Sequence, residues 1–286
     1  MKQIEIKCKV ITPLFMAGND KNNPELRPSE FKGMMRFWWR AIMADNNIEN
    51  LRKQEAEIFG GTGEMEKKSK VTINIFPQQI SFSSYRPLLH SQQKTFSFPC
   101  ISENSTFEIF LRGEEKFLNI FKDVFFLSTI LGGFGKRSRR GFGSVEVIEP
   151  KELNLGDSSK EDALKKILGV LNQILNQIIN KYIIQDSKIV NTSSGANYPW
   201  IKEIEIGKKE DAWKELLKKI GDASHNHRNP SLGNPTPRMA SPIYVSVVRL
   251  RDGYYPIVTT LKSYFPQNYP HYDFGKQTDF KRGVLL

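Results

Sequence analysis

Phe117-Leu-Asn-Ile-Phe-Lys-Asp-Val-Phe-Phe-Leu-Ser-Thr-Ile-Leu131, then Gly132-Gly-Phe-Gly-Lys-Arg-Ser-Arg-Arg-Gly-Phe-Gly-Ser144, then Val145-Glu-Val147, is the stretch on which the fold turns. Phe117, Ile120, Phe121, Val124, Phe125, Ser128 and Leu131 recur at helical spacing, and Gly132-Gly133 stops the helix. Val145 and Val147 flank a polar residue, as in a strand with one buried face. A helix, a glycine-rich loop and a closing strand are therefore expected in series.

Upstream, Ile4, Ile6, Cys8 and Val10 alternate with Glu5, Lys7 and Lys9, the period of a half-buried strand. A polar loop from Gly18 to Pro28 leads to a helix expected from about Glu30 to Ala44, with Ser29 as its N-cap. Val71 to Phe76 and Thr106 to Leu111 read as two more strands around an irregular stretch rich in Ser, Gln and Pro. The order is β-α-β-β-α-β, the split βαβ or ferredoxin-like arrangement of an α+β domain. That fold presents a four-stranded sheet often used for single-stranded RNA, but it hosts many other functions too.

A second α+β domain is expected over residues 151–286, after a first over 1–150, lengths ordinary for single domains. Leu164, Ile167, Leu168, Leu171, Leu175, Ile178 and Tyr182 form an amphipathic helical pattern. A strand over Trp200 to Ile206, a helix over Lys208 to Ile220 and a long loop from Gly221 to Ser241 follow. Ile243 to Leu250 and Tyr254 to Leu261 flank Arg251-Asp252-Gly253, a hairpin signal. The tail after Phe265 carries no clear pattern.

The chain carries a net charge of +11, shared by both halves rather than held in a tail, and so favours a polyanionic partner. Its two cysteines, Cys8 and Cys100, lie outside any Cys-x-x-Cys spacing, which argues against a disulfide scaffold or zinc knuckle. The first residues lack the apolar run of a signal peptide, and no stretch approaches the roughly 20 apolar residues of a membrane span. A cytoplasmic protein with no membrane contact is the expectation.

The glycine-rich loop holds five glycines and four cations in thirteen residues. A helix C-cap and its dipole explain two of the glycines and one or two of the charges. Four crowded cations repel one another unless an anion lies near. Lys136, Arg137, Arg139 and Arg140 are therefore candidate phosphate contacts, and Phe134 and Phe142 candidate base-stacking rings. Neither G-x-x-x-x-G-K-[ST] nor G-x-G-x-x-G is present.

With Thr12-Pro-Leu-Phe-Met-Ala-Gly18, Glu25-Leu-Arg-Pro-Ser29 and Phe31-Lys-Gly-Met-Met-Arg-Phe-Trp-Trp-Arg40, this loop resembles the RAMP superfamily of CRISPR proteins, and within it the family of first subunits of the type III-B (Cmr) RNA-targeting effector complex. Arg238-Met-Ala-Ser-Pro242 resembles, more weakly, the RAMP element preceding the hairpin of a second, divergent ferredoxin-like domain. The resemblance implies a subunit that helps hold guide RNA and its paired target near one end of the assembly, for antiviral defence. It implies other Cmr subunits as partners, no cofactor, and cleavage by a different subunit. Arg238 joins the RNA-contact candidates on this ground.

On the first helix, Phe31, Met34, Trp38, Ala41 and Ile42 fall on one face and Lys32, Arg36 and Arg40 on the other, with Trp39 beside the cations. The stripe reads either as a solvated face or as an RNA or partner-subunit contact in which Trp39 stacks on a base. His225 and His227, expected in the long loop, lack the further ligands of a metal site. They are solvated residues, or one is the general base of a metal-free, guide-processing endoribonuclease.

Overall fold

The computed structural model describes residues 1–63, 66–88, 96–175, 181–193, 197–265 and 272–286. Ile178, His90 and His271 lie outside the described residues. The order of elements is β1 (Lys2–Val10), α1 (Pro28–Met43), α2 (Ile48–Phe59), β2 (Val71–Gln79), β3 (Phe82–Tyr85), β4 (Phe98–Ile101), β5 (Thr106–Gly113), α3 (Glu115–Leu131) and β6 (Val145–Glu149). Then come α4 (Lys160–Ile174), β7 (Tyr182–Gln185), β8 (Lys188–Asn191), β9 (Trp200–Ile206), α5 (Trp213–Asn226), β10 (Ile243–Leu250), β11 (Gly253–Lys262) and α6 (Phe274–Leu285). This is a mixed α/β protein with antiparallel sheets.

The first sheet has the order β2-β5-β1-β6, with every neighbour antiparallel. The expected β-α-β-β-α-β order is embedded there with two additions. One is α2, capped by Asn47, whose side chain accepts from the Asn50 N–H. The other is the β3–β4 hairpin, in the stretch expected to be irregular. Helix α1 begins two residues early: Arg27 is its N-cap and Pro28 sits at N1, where its missing N–H costs nothing, so Ser29 does not cap it.

The second sheet has the order β10-β11-β9-β8-β7, and the expected Asp252-Gly253 hairpin joins β10 to β11. Helix α4 stops before Tyr182, which begins β7 and donates its hydroxyl to the Ile42 carbonyl. Helix α5 runs to Asn226, so His225 is helical and His227 is the C-cap, not loop residues. The patternless tail contains α6, capped by Asp273.

Helix α3 packs against both sheets, contacting β1, β5 and β6 on one side and β10 and β11 on the other. Its unbroken buried run from Val124 to Leu131 follows from that position, since a helix covered all round has no solvent-facing stripe, and the Ser128 and Thr129 hydroxyls bond back to the Val124 and Phe126 carbonyls. Strands β10 and β11 are likewise buried on both faces, with α3 on one side and α5 and α6 on the other. The hydrophobic clusters cross residue 150: Ile11, Phe15, Cys100 and Phe142 pack with Trp213, Leu216, Ile220 and Phe280. Buried Glu146 on β6 also accepts Arg249 of β10 at 3.1 and 2.5 Å.

Candidate nucleic-acid interface

The loop Gly132–Ser144 is built into the junction of the two sheets. The Gly141 N–H donates to Val245 of β10 at 2.7 Å, Lys136 to Phe15 at 2.9 Å and Gly143 to Pro13 at 3.0 Å. Buried Thr12 donates its hydroxyl to the Gly141 carbonyl at 2.7 Å and accepts the Ser144 N–H at 3.0 Å. The Ser144 hydroxyl in turn accepts the Val247 N–H at 2.9 Å. Two glycines are obligatory here. Gly135 has φ +75° and a Cβ would lie 2.5 Å from the Phe15 carbonyl oxygen, while a Cβ on Gly143, at φ +67°, would strike the Phe134 carbonyl.

Phe134 and Phe142 do not face solvent, which corrects the expectation that they stack on bases. Phe134 is fully buried, with ring centroids 4.4 Å from Phe31 and 5.9 Å from Phe125. Phe142 packs on Phe15 at 5.2 Å and Tyr85 at 6.0 Å. The two rings anchor the loop to the core, and the glycines beside them let the backbone approach closely enough to do so.

The cations divide by role. Lys136 and Arg137 are exposed, and Arg137 takes a left-handed conformation, φ 64°, as N-cap of a 3₁₀ turn over Ser138–Arg140. Arg139 lies over the Tyr244 ring at 4.5 Å. Arg140 donates to the carbonyls of Arg139, Ile243 and Leu232 and to the Ser241 hydroxyl, at 2.8 to 3.2 Å. Those four bonds use both terminal nitrogens twice, so its fork has no terminal N–H left for a phosphate. Arg140 is thus a strut that ties the loop to the second half, correcting its reading as a phosphate ligand. Burial, reinforced by Arg137 and Arg139, pushes its guanidinium down to about 9.

Arg137, Arg139 and Arg140 line one cleft of about 580 Å³ together with Arg238, Asn234 and Pro235. Sequence reasoning reached Arg238 only through the resemblance. The folded chain brings it against the glycine-rich loop because residues 233–241 fold back as a turn, with Asn234 and Met239 paired through their backbones at 2.9 and 2.8 Å. No carboxylate among the described residues lines the cleft. Among the described residues, Lys136, Arg137, Arg139, Arg140 and Arg238 make no ion pair. Like charges converging on a concave surface favour an anion there. The pinning hydroxyls of Thr12 and Ser144 and the wall residue Asn234 were missed from sequence, having no signal beyond their loop composition.

Helix α1 departs from the expected interface. Trp39 is 2% exposed and packs on Phe59 of α2 at 6.1 Å. Met35, not Met34, is fully buried. Arg36 and Arg40 both donate to one oxygen of Glu55 on α2, at 2.7 and 2.6 Å, so the stripe is not uncompensated. Lys32 makes no ion pair among the described residues, and burial lowers its ammonium pKa, with Arg36 adding to the effect.

His225 and His227 do not border the arginine cleft. His227 lines a separate groove with Glu215, Lys218 and Asp222, and its buried Nδ1 has no hydrogen bond among the described residues. Among the described residues no group of three His, Cys, Asp or Glu could hold a metal ion. No described helix is long and apolar enough to cross a membrane.

Comparison with known proteins places these features in context. The family model of the RAMP superfamily matches residues 7–146. The Cmr1-2 subunit of the CRISPR Cmr system of Pyrococcus furiosus is 30% identical over 182 residues, covering 51% of this chain and 96% of that subunit. The Cmr1-1 subunit of the same organism is 28% identical over 182 residues, covering 53% of this chain and 52% of its own length. The crystal structure of apo Cmr1 from Pyrococcus furiosus superposes with TM-score 0.68 at 18% identity, over 99% of this chain and 96% of that one. A chain of a type III-B Cmr-beta complex bound to cognate target RNA superposes with TM-score 0.61 at 13% identity, over 98% of this chain and 99% of its own. At such identities these two likenesses establish the fold alone.

Proposed function

The chain belongs to the RAMP superfamily, with Cmr1 subunits among its relatives, and from that premise we propose that it is a non-catalytic, RNA-binding subunit of a type III-B Cmr effector complex. The observation that carries this reading is the cleft lined by four arginines and, among the described residues, no carboxylate. Phosphates of guide RNA and its target lie along that cleft, and Arg137, Arg139 and Arg238 supply the direct contacts, with Lys136 at the edge of the loop. Arg140 holds the loop in register. The protein works in the cytoplasm beside other Cmr subunits and needs no cofactor. The strand order β2-β5-β1-β6 supports a ferredoxin-like first domain, residues 1–150. In residues 151–286, β9, α5, β10, β11 and α6 repeat that plan, with β8 occupying the place of the fourth strand.

The test is the salt dependence of RNA binding in an Arg137→Ala, Arg139→Ala, Arg238→Ala triple variant. If each arginine meets one phosphate, the slope of log K against log salt falls by roughly 0.7 per contact on single-stranded RNA, about 2 in all. An unchanged slope in a folded triple variant overturns the reading. Specific RNA cleavage by the wild type that disappears in His225→Ala or His227→Ala transfers the function to the endoribonuclease alternative.

A further inference from the structure

A second concavity, of about 320 Å³, opens between β9, β11 and α6, with Lys202, Glu203, Thr260, Lys262, Phe265 and Phe274 on its walls. Rings crowd one side: Phe265 and Tyr272 stack with centroids 4.8 Å apart, and Phe274 stands edge-on to Tyr272 at 5.1 Å. Phe274 is 55% exposed and Tyr272 44%, so apolar ring surface is left open beside a pocket. Lys202 and Lys262 form no ion pair among the described residues, whereas Lys281, on the same wall, is held by Glu203 and Glu205 at 2.5 and 2.6 Å. The hydroxyl of Thr260 is buried and has no hydrogen-bond partner among the described residues.

The pocket adjoins the arginine cleft. Ser241 lines the cleft and the next residue, Pro242, lines the pocket. Arg140 also lies over the ring of Phe280 at 4.9 Å, one residue before Lys281. An open aromatic face next to ammonium groups that make no ion pair among the described residues suits a flat base joined to a phosphate, because every base has a π-face. The volume lies at the lower end of the roughly 300–1,000 Å³ usual for small-molecule sites, too small for a duplex.

We propose that this pocket takes one unpaired nucleotide, with its base on the exposed ring of Phe274 and its phosphate on Lys202 and Lys262. Two sources share that chemistry: a free ribonucleoside monophosphate, and an unpaired nucleotide of a strand whose neighbouring phosphates occupy the arginine cleft. The second source rests on the function proposed above; the first does not.

The experiment uses the full chain, AMP, a single-stranded RNA carrying one 2-aminopurine, and the same sequence as a blunt duplex. Variants are Phe274→Ala, chosen because the ring is exposed, and a Lys202→Ala, Lys262→Ala pair, each checked for a native melting profile. If a strand supplies the nucleotide, wild-type protein quenches 2-aminopurine in the single strand, and Phe274→Ala removes the quench. Affinity for that strand falls by roughly 5- to 150-fold while duplex binding is unchanged. If free nucleotide is the source, AMP binds the wild type and not the variants, with RNA affinity unaffected. Wild-type RNA binding with no change in either variant, and no AMP binding, overturns the proposal and leaves the RNA-binding reading standing. Loss of a copurifying Cmr subunit from Phe274→Ala, with nucleotide binding unaltered, also overturns it, in favour of a protein contact. If the wild type binds no RNA at all, the RNA-binding reading fails, and the AMP titration alone decides the pocket.

Discussion

Replacing Trp39 by Ala distinguishes a buried helix ring from a base-stacking one. The ring is 2% exposed and lies against Phe59 between α1 and α2. A buried aromatic removes roughly 150–250 Å² from water, which at about 25 cal/mol per Å² is about 4–6 kcal/mol of transfer. Measured truncations of buried aromatics cost about 3–5 kcal/mol, so that range is the expectation. At about 2–4 °C per kcal/mol for chains of 150–250 residues, a somewhat longer chain such as this loses on the order of 5–20 °C in Tm. Scanning calorimetry and urea titration followed by far-UV circular dichroism read the loss. RNA titration well below the lowered Tm reads the second expectation, an affinity equal to wild type. A variant that melts within about 1 kcal/mol of wild type yet loses RNA affinity would refute the placement of this ring in the core.

Two further outcomes follow from buried polar groups. Thr12→Val keeps the side-chain shape but leaves the Ser144 N–H without its acceptor and the Gly141 carbonyl with only the Ser144 hydroxyl, at an expected cost of about 1–3 kcal/mol in denaturant titration and with weaker RNA binding through a loosened loop. Burial on α3 pushes the Asp123 carboxyl up to about 6, against the pull of Lys122. Because this carboxyl is raised in the folded state, its contribution to stability is fullest below its unfolded value near 3.9 and is lost as pH rises through about 6. Asp123→Asn should therefore stabilise the protein more at pH 8 than at pH 5, and equal effects at the two pH values would sink that account.

Elements with their own local code were legible in the sequence. The Asp252-Gly253 turn, the period of β1 and the run of α3 into Gly132 all state their structure within a few residues. Trp39 was misread because periodicity assumes one buried face, whereas α1 is covered on several sides, by α2, α3, β2 and β9. The same long-range packing makes anchors of Phe134 and Phe142 in a loop whose composition suggests exposure. Arg140 looks like its neighbours in sequence, and only the carbonyls of Leu232 and Ile243, about a hundred residues away in the chain, turn it into a strut. Glu55, which neutralises Arg36 and Arg40, sits on a helix that the charge stripe alone gave no reason to expect.

The pinning of the glycine-rich loop by β10 has a consequence for the order of synthesis. Residues 132–144 leave the ribosome about a hundred residues before Val245, Val247 and Ile243, the groups that receive Gly141, supply Ser144 and anchor Arg140. Until those residues follow, the loop lacks half of its fixed partners and Arg238 does not yet exist to close the cleft. The arginines are thus gathered into one surface only when the second sheet has formed. Folding itself times the moment at which a nascent, strongly basic chain becomes able to grip a polyanion, and a chain truncated after β6 would carry the loop's charges without their geometry.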